Sequence, residues 1–159
     1  MASATKWWLT GLSLATINMV WSGISTANSY LCEAESATGF VYDKKRDHWQ
    51  SSQLVAANKY LISPVATDDL IGRALKFDHE VRMVDSEKPL IHCKTARFAD
   101  SNEESGMMYC RGTRGASFTY NKRTGKYIRS DLAGYVEIEM EASEVKPVPF
   151  IEIGKCSPM

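Results

Sequence analysis

The chain has 159 residues, four of them cysteine, and carries 19 basic against 19 acidic side chains. That balance excludes a dominant electrostatic grip on nucleic acid or on an acidic membrane surface. The length fits one domain with enough residues to bury a core.

Residues 1–27 read as an export signal. Lys6 supplies the positive start, Trp7 to Val20 the apolar stretch, and Ser25-Thr26-Ala27 the small residues before a cleavage point that leaves Asn28 first. This leader holds Lys6 and no acid, so residues 28–159 carry a net charge of −1. No later run reaches the ~18 apolar residues of a spanning helix. Leu31 stands before Cys32, where a lipid-anchored form needs a small residue. The expectation is one exported domain, residues 28–159, periplasmic or secreted and without stable membrane insertion after cleavage.

From there the dominant signal is apolar–polar alternation. It predicts strands around 30–34, 38–43, 48–53 and 59–63. The stretch 64–70 reads as a helical turn capped by Thr67 or Asp68. Residues 71–84 read as a strand with Ile71, Leu75, Phe77, His79, Val81 and Met83 on one face and Lys76, Asp78, Glu80 and Arg82 on the other. Further strands are predicted around 89–96, 106–111, 116–121, 126–130, 135–141 and 149–155. Lys146-Pro147-Val148-Pro149 is a stiff link into the last one. Regularly spaced short strands imply an all-β fold, an antiparallel meander forming a small barrel or sandwich.

An even cysteine count in an exported chain predicts two disulfides. The spacings of 61, 17 and 46 residues hold no Cys-x-x-Cys knuckle for zinc. A thiol nucleophile beside His92 is disfavoured, because neighbours on a strand point to opposite faces. Folding the polar loop 100–104 as a hairpin sets Cys93 opposite Cys110 and leaves Cys32 to pair with Cys156.

One internal echo stands out. Cys32 is followed by Phe40, Tyr42, Asp43, Lys44 and Trp49, and Cys110 at the same offsets by Phe118, Tyr120, Asn121, Lys122 and Tyr127. Each reads as a hairpin with an Asx-Lys turn, and the shared cysteine offset predicts an internal duplication. With pseudo-symmetric halves, the turns Lys44-Lys45-Arg46 and Lys122 to Lys126 would form one positive rim.

Among candidate chemistries, His79 on the apolar strand face could line a barrel interior; a hydrogen-bonded histidine near a strand end is the plainer reading. His48 near Asp43 and Asp47 lacks a third ligand at conventional spacing, so no metal site or cofactor is expected. Glu137, Glu139 and Glu141 share one face and read as a solvated edge that discourages aggregation. No nucleophile elbow, phosphate loop, zinc-protease or dinucleotide fingerprint occurs, and the chain reads as a non-enzyme.

Two resemblances extend this reading. The closing run Phe150-Ile151-Glu152-Ile153-Gly154-Lys155-Cys156-Ser157-Pro158, with the Phe-x-Tyr-Asx hairpins, resembles a group of small exported proteins of Gram-negative bacteria and their prophages; the likeness implies periplasmic export and no particular activity. Tyr30-Leu31-Cys32 and Ser105-Gly106-Met107-Met108-Tyr109 resemble the Tyr-x-Cys and Ser-Gly-x-x-Tyr motifs of periplasmic inhibitors of c-type lysozyme. That resemblance implies a small disulfide-bearing β-barrel in which Ser105, Gly106 and Tyr109 help to block a hydrolase cleft. The resulting expectation is an exported, non-enzymatic binding protein with a protein or small-molecule partner and no nucleic acid. Its alternatives are an inhibitor of a cell-wall hydrolase and a small-molecule carrier with His79 inside the barrel.

Overall fold

A computed structural model describes residues 29–66, 68–112, 115–135 and 148–159. The export signal, the strand predicted at 135–141 beyond Tyr135, its three glutamates and Lys146-Pro147 lie outside the described residues. Nine strands follow one another: β1 (Tyr30–Asp43), β2 (His48–Leu54), β3 (Lys59–Pro64), β4 (His79–Met83), β5 (Ile91–Arg97), β6 (Glu104–Arg111), β7 (Ser117–Asn121), β8 (Lys126–Asp131) and β9 (Phe150–Pro158). A short helix α1 (Leu70–Ala74) sits between β3 and β4.

From β3 to β9 each strand pairs antiparallel with the next, and β9 pairs with β1 to close the sheet. The closed circuit has eight strands, β1 and β3 to β9. This is the up-and-down barrel, which leaves no free edge around the circuit. β2 lies outside the circuit as the return arm of a hairpin on β1.

β1 replaces the two strands predicted at 30–34 and 38–43. Along one edge it runs against β9; along the other its first residues pair with β3 and its later ones with β2. A register shift between Ala34 and Ser36 explains why the sequence reads as two pieces. Such a bulge reverses the inward parity, so Cys32 and then Ala37 are both buried.

The prediction of one strand over 71–84 is corrected. Asp69, rather than Thr67 or Asp68, caps α1, its carboxylate accepting the Ile71 and Gly72 amides at 3.0 Å each. Lys76 then adopts a left-handed φ of 55° and ends the turn. Ile71 and Leu75, four residues apart, suit one helical face as well as one strand face, and both remain exposed. Only β4, from His79 onward, keeps the predicted alternation. Glu80 faces outward as predicted, yet it is buried, because the 65–78 excursion lies over it.

Both disulfides form as expected, Cys93–Cys110 across β5–β6 and Cys32–Cys156 across β1–β9. Each joins residues directly opposite in register. The two seams lie half a circuit apart. Disulfides persist in oxidising compartments, so this framework places the protein outside the cytoplasm. No helix among the described residues is long and apolar enough to cross a membrane.

The echo is narrower than a duplication. Both hairpins form, β1–β2 and β7–β8. Cys32 shares one strand with Phe40, however, whereas Cys110 and Phe118 face each other on β6 and β7. Phe118 is fully buried while Phe40 is 47% exposed. The single positive rim is also overturned. Lys126, just past the second turn, stands level with Lys155 and Glu33 near the start of β1, while the first turn follows Asp43 at the other end.

Inside the barrel Tyr60, Ile62, Val81, Ile91, Met108, Phe118, Tyr120 and Tyr127 pack with the two disulfides. Phe118 and Tyr127 stack with centroids 4.7 Å apart, and Tyr60 meets both edge-on. Charged side chains such as Lys59, Lys94, Arg111 and Lys155 stand on the outer face. This is the reverse of the alternation a lipid-facing barrel carries.

Burial pushes the Tyr120 phenol up to about 12, Tyr30 adding to it. Burial also raises Tyr60 and Tyr127, the neighbouring Arg129 opposing it in part. Unfolded tyrosines ionise near pH 10. Above that value the unfolded chain binds fewer protons than the folded one, so stability present below pH ~10 falls as pH rises toward 12. In an alkaline titration, part of the tyrosinate absorbance is expected to appear only together with the loss of near-UV circular dichroism. A smooth titration of every tyrosine with the fold intact would contradict the packing of these rings.

Candidate interaction surface

The Ser-Gly-x-x-Tyr segment opens β6. The pairing with β5 shifts register here; Ser105 is half-buried, while Tyr109 stands exposed on the outer face. The Ser105 hydroxyl donates to the Ala96 carbonyl at 3.1 Å and accepts the Met107 amide at 3.2 Å. It is thus committed to shaping the start of the strand. Gly106 has φ of +80°, a conformation that L side chains rarely adopt. Its carbonyl accepts the Lys122 amide at 2.7 Å, and the Arg123 side chain passes over the space a Cβ would occupy. These bonds tie the segment to the basic β7–β8 turn, which is itself built by Asn121 accepting the Arg123 amide at 2.9 Å.

Tyr109 is 51% exposed, with Lys94 opposite it on β5 and Thr119 on β7. It borders an open cleft lined also by Lys76, Arg97 and Asp78. Asp78 is occupied: it accepts the Thr95 amide and bonds His79 Nδ1 at 3.0 Å. Burial pushes its carboxyl up, but the His79 and Thr95 bonds outweigh that and hold it below the usual range. Lys122 is paired with Glu104 at 3.0 Å. Among the described residues, Lys94, Arg123 and Lys126 have no carboxylate within ion-pair distance. The face around Tyr109 therefore carries an excess of unpaired positive charge, which the near-zero net charge of the chain conceals.

His79 is buried on the inner face opposite Cys93, at the strand end, with its ring held by Asp78. This is the hydrogen-bonded histidine of the plainer reading. His48 is exposed in the first hairpin. Asp43 accepts the Lys45 and Arg46 amides and Asp47 accepts the Tyr42 hydroxyl, so each carboxylate is turned to its own local bond.

Two features escape sequence reasoning. An apolar groove lies outside β1 and β9, where Phe40, Leu132 and Ile151 are each more than 40% exposed. The second is a cluster of Asp69, Glu80 and His92 on the outer face of β4 and β5. Glu80 and His92 are directly opposite in register, but Asp69 arrives from an excursion whose path no periodicity reveals. Comparison of the chain with protein-family models, with curated proteins and with solved structures finds no match.

Proposed function

We propose that the protein is an exported, non-enzymatic binding protein whose partner is a cell-wall hydrolase of the lysozyme class, held against the outer face of β5 and β6. The observation that carries the reading is Tyr109, an exposed aromatic ring set among unpaired cations on a rigid, cross-linked sheet. Glycoside hydrolases cut with a pair of carboxylates in an open cleft. A positive surface bearing an aromatic anchor complements such a cleft in charge, and aromatic and arginine side chains supply most interface energy. The barrel with its disulfides is also the fold that the Ser-Gly-x-x-Tyr resemblance implies. Here Ser105 is a shaping residue, while Tyr109 and the Gly106 turn make the contact. The filled interior weighs against a carrier that encloses its ligand.

The test is inhibition of a panel of lysozymes by purified, oxidised protein. Inhibition at about micromolar concentration is expected. Tyr109→Ala should weaken it about tenfold or more, the cost of losing a central aromatic anchor. Lys94→Glu should slow association and remove much of its salt dependence. Unchanged hydrolysis across the panel at micromolar protein would end this reading.

A further inference from the structure

We propose that Asp69, Glu80 and His92 form a binding site for one divalent transition-metal ion, Zn²⁺ being the ion their donors fit best. The site is independent of the hydrolase reading. One ligand atom from each residue lies within 4.8 Å of the others, so small side-chain movements bring all three to the 2.0–2.2 Å at which zinc binds nitrogen and carboxylate oxygen.

Each ligand is held by its surroundings. Asp69 Oδ1 is fixed by the two amides of α1, which turns Oδ2 toward His92 Nε2, its hydrogen-bond partner. Metal-binding carboxylates are commonly oriented by such outer bonds. The His92 ring is stacked on Phe77 at 5.5 Å, an interplanar angle of 25° fixing its plane. Gly72 leaves the needed room: a Cβ there would stand 2.8 Å from Asp69 Oδ2 and 3.0 Å from His92 Cδ2.

Glu80 is the most buried of the three ligands and borders the cleft. It is only 5% exposed, yet among the described residues its sole partner is the Ala66 amide, at 3.4 Å on Oε2. Arg82 lines the cleft in front of it and makes no ion pair with either carboxylate. Two carboxylates gathered around one imidazole, one of them buried, are a costly arrangement for the protein alone. A dication bound by all three donors removes that cost. One nitrogen and two oxygen donors suit zinc, whereas calcium and magnesium prefer all-oxygen shells. Three protein ligands leave a coordination position facing the cleft.

The test is titration of chelator-treated, oxidised protein with Zn²⁺ against a competing dye. One equivalent is expected to bind, with an upward shift of the melting temperature. Glu80→Gln should weaken binding at least about tenfold and His92→Gln should abolish it, while non-reducing peptide mapping confirms both disulfides in each variant. The unmodified protein supplies a second readout: of its three histidines, the His92 ring resonances should be those moved by Zn²⁺. Magnesium and calcium should not compete. Absence of binding at millimolar Zn²⁺, binding unaltered in both variants, or a shift confined to His48 would each overturn the proposal.

Discussion

Replacing Cys32 and Cys156 together by alanine is expected to lower stability by about 4–5 kcal/mol, the loop-closure value for a ring of this size. The bridge joins residues 124 apart and sits at the one seam of the barrel that connects the first strand to the last. Every other seam of the circuit follows a chain connection, so only this one must bring the two ends of the domain together. Without the bridge, β1 and β9 still pair over most of their length, but the unfolded chain regains the freedom of a very long loop. The Cys93–Cys110 bridge spans 17 residues across a hairpin, and the same reasoning gives about 3 kcal/mol for it. Urea unfolding of the two alanine pairs distinguishes the cases. The wider loop should show the larger drop in midpoint, together with a higher m-value as its denatured state expands. Equal losses would mean that closure entropy is not what the terminal bridge contributes, and that local packing of the sulfurs dominates at both seams.

How far this arrangement could be read without coordinates differs from residue to residue. The strands from β5 to β8 are legible because each is short, alternating and bounded by polar turns. The same alternation sets Cys93 opposite Cys110 and, by elimination, Cys32 opposite Cys156. What fails depends on long-range geometry. The bulge after Ala34 reverses the inward parity of β1, so one strand imitates two. The 71–84 stretch carries a helical and a strand spacing at once, and Asp69 tips its first part toward helix through two amide bonds that no spacing rule shows. The proposed metal site is invisible for the same reason: Glu80 and His92 become neighbours only through the β4–β5 register, and Asp69 joins them only through the α1 excursion. Tyr109 was legible as part of a motif, but the cations around it come from β5, the α1 excursion and the β7–β8 turn. A near-zero net charge cannot reveal such local asymmetry.

Replacing Glu152 by leucine is expected to cost about 3–5 kcal/mol, the usual consequence of removing one of two opposite charges that share a buried site. Glu152 is fully buried and stands directly opposite Arg129 on the inner face of β8 and β9. It accepts the Tyr127 hydroxyl at 3.0 Å and the Asn58 side-chain amide at 2.6 Å. Arg129 donates to the Tyr60 hydroxyl and lies 5.2 Å and 4.9 Å from the centres of the Tyr60 and Phe150 rings, but its Nε has no partner. The guanidinium is therefore compensated by the carboxylate across the sheet and by ring faces, not by a full set of hydrogen bonds. Removing Glu152 strands this cation in the interior and deprives Tyr127 and Asn58 of their acceptor; Arg129→Met leaves the carboxylate uncompensated in turn. The double variant Glu152→Leu, Arg129→Met removes both charges and keeps the volume, so it should recover most of the loss. A double-mutant cycle in urea reads the coupling directly. Strictly additive losses would show that the two charges do not sense each other, and that the inner polar network is held by the tyrosines alone.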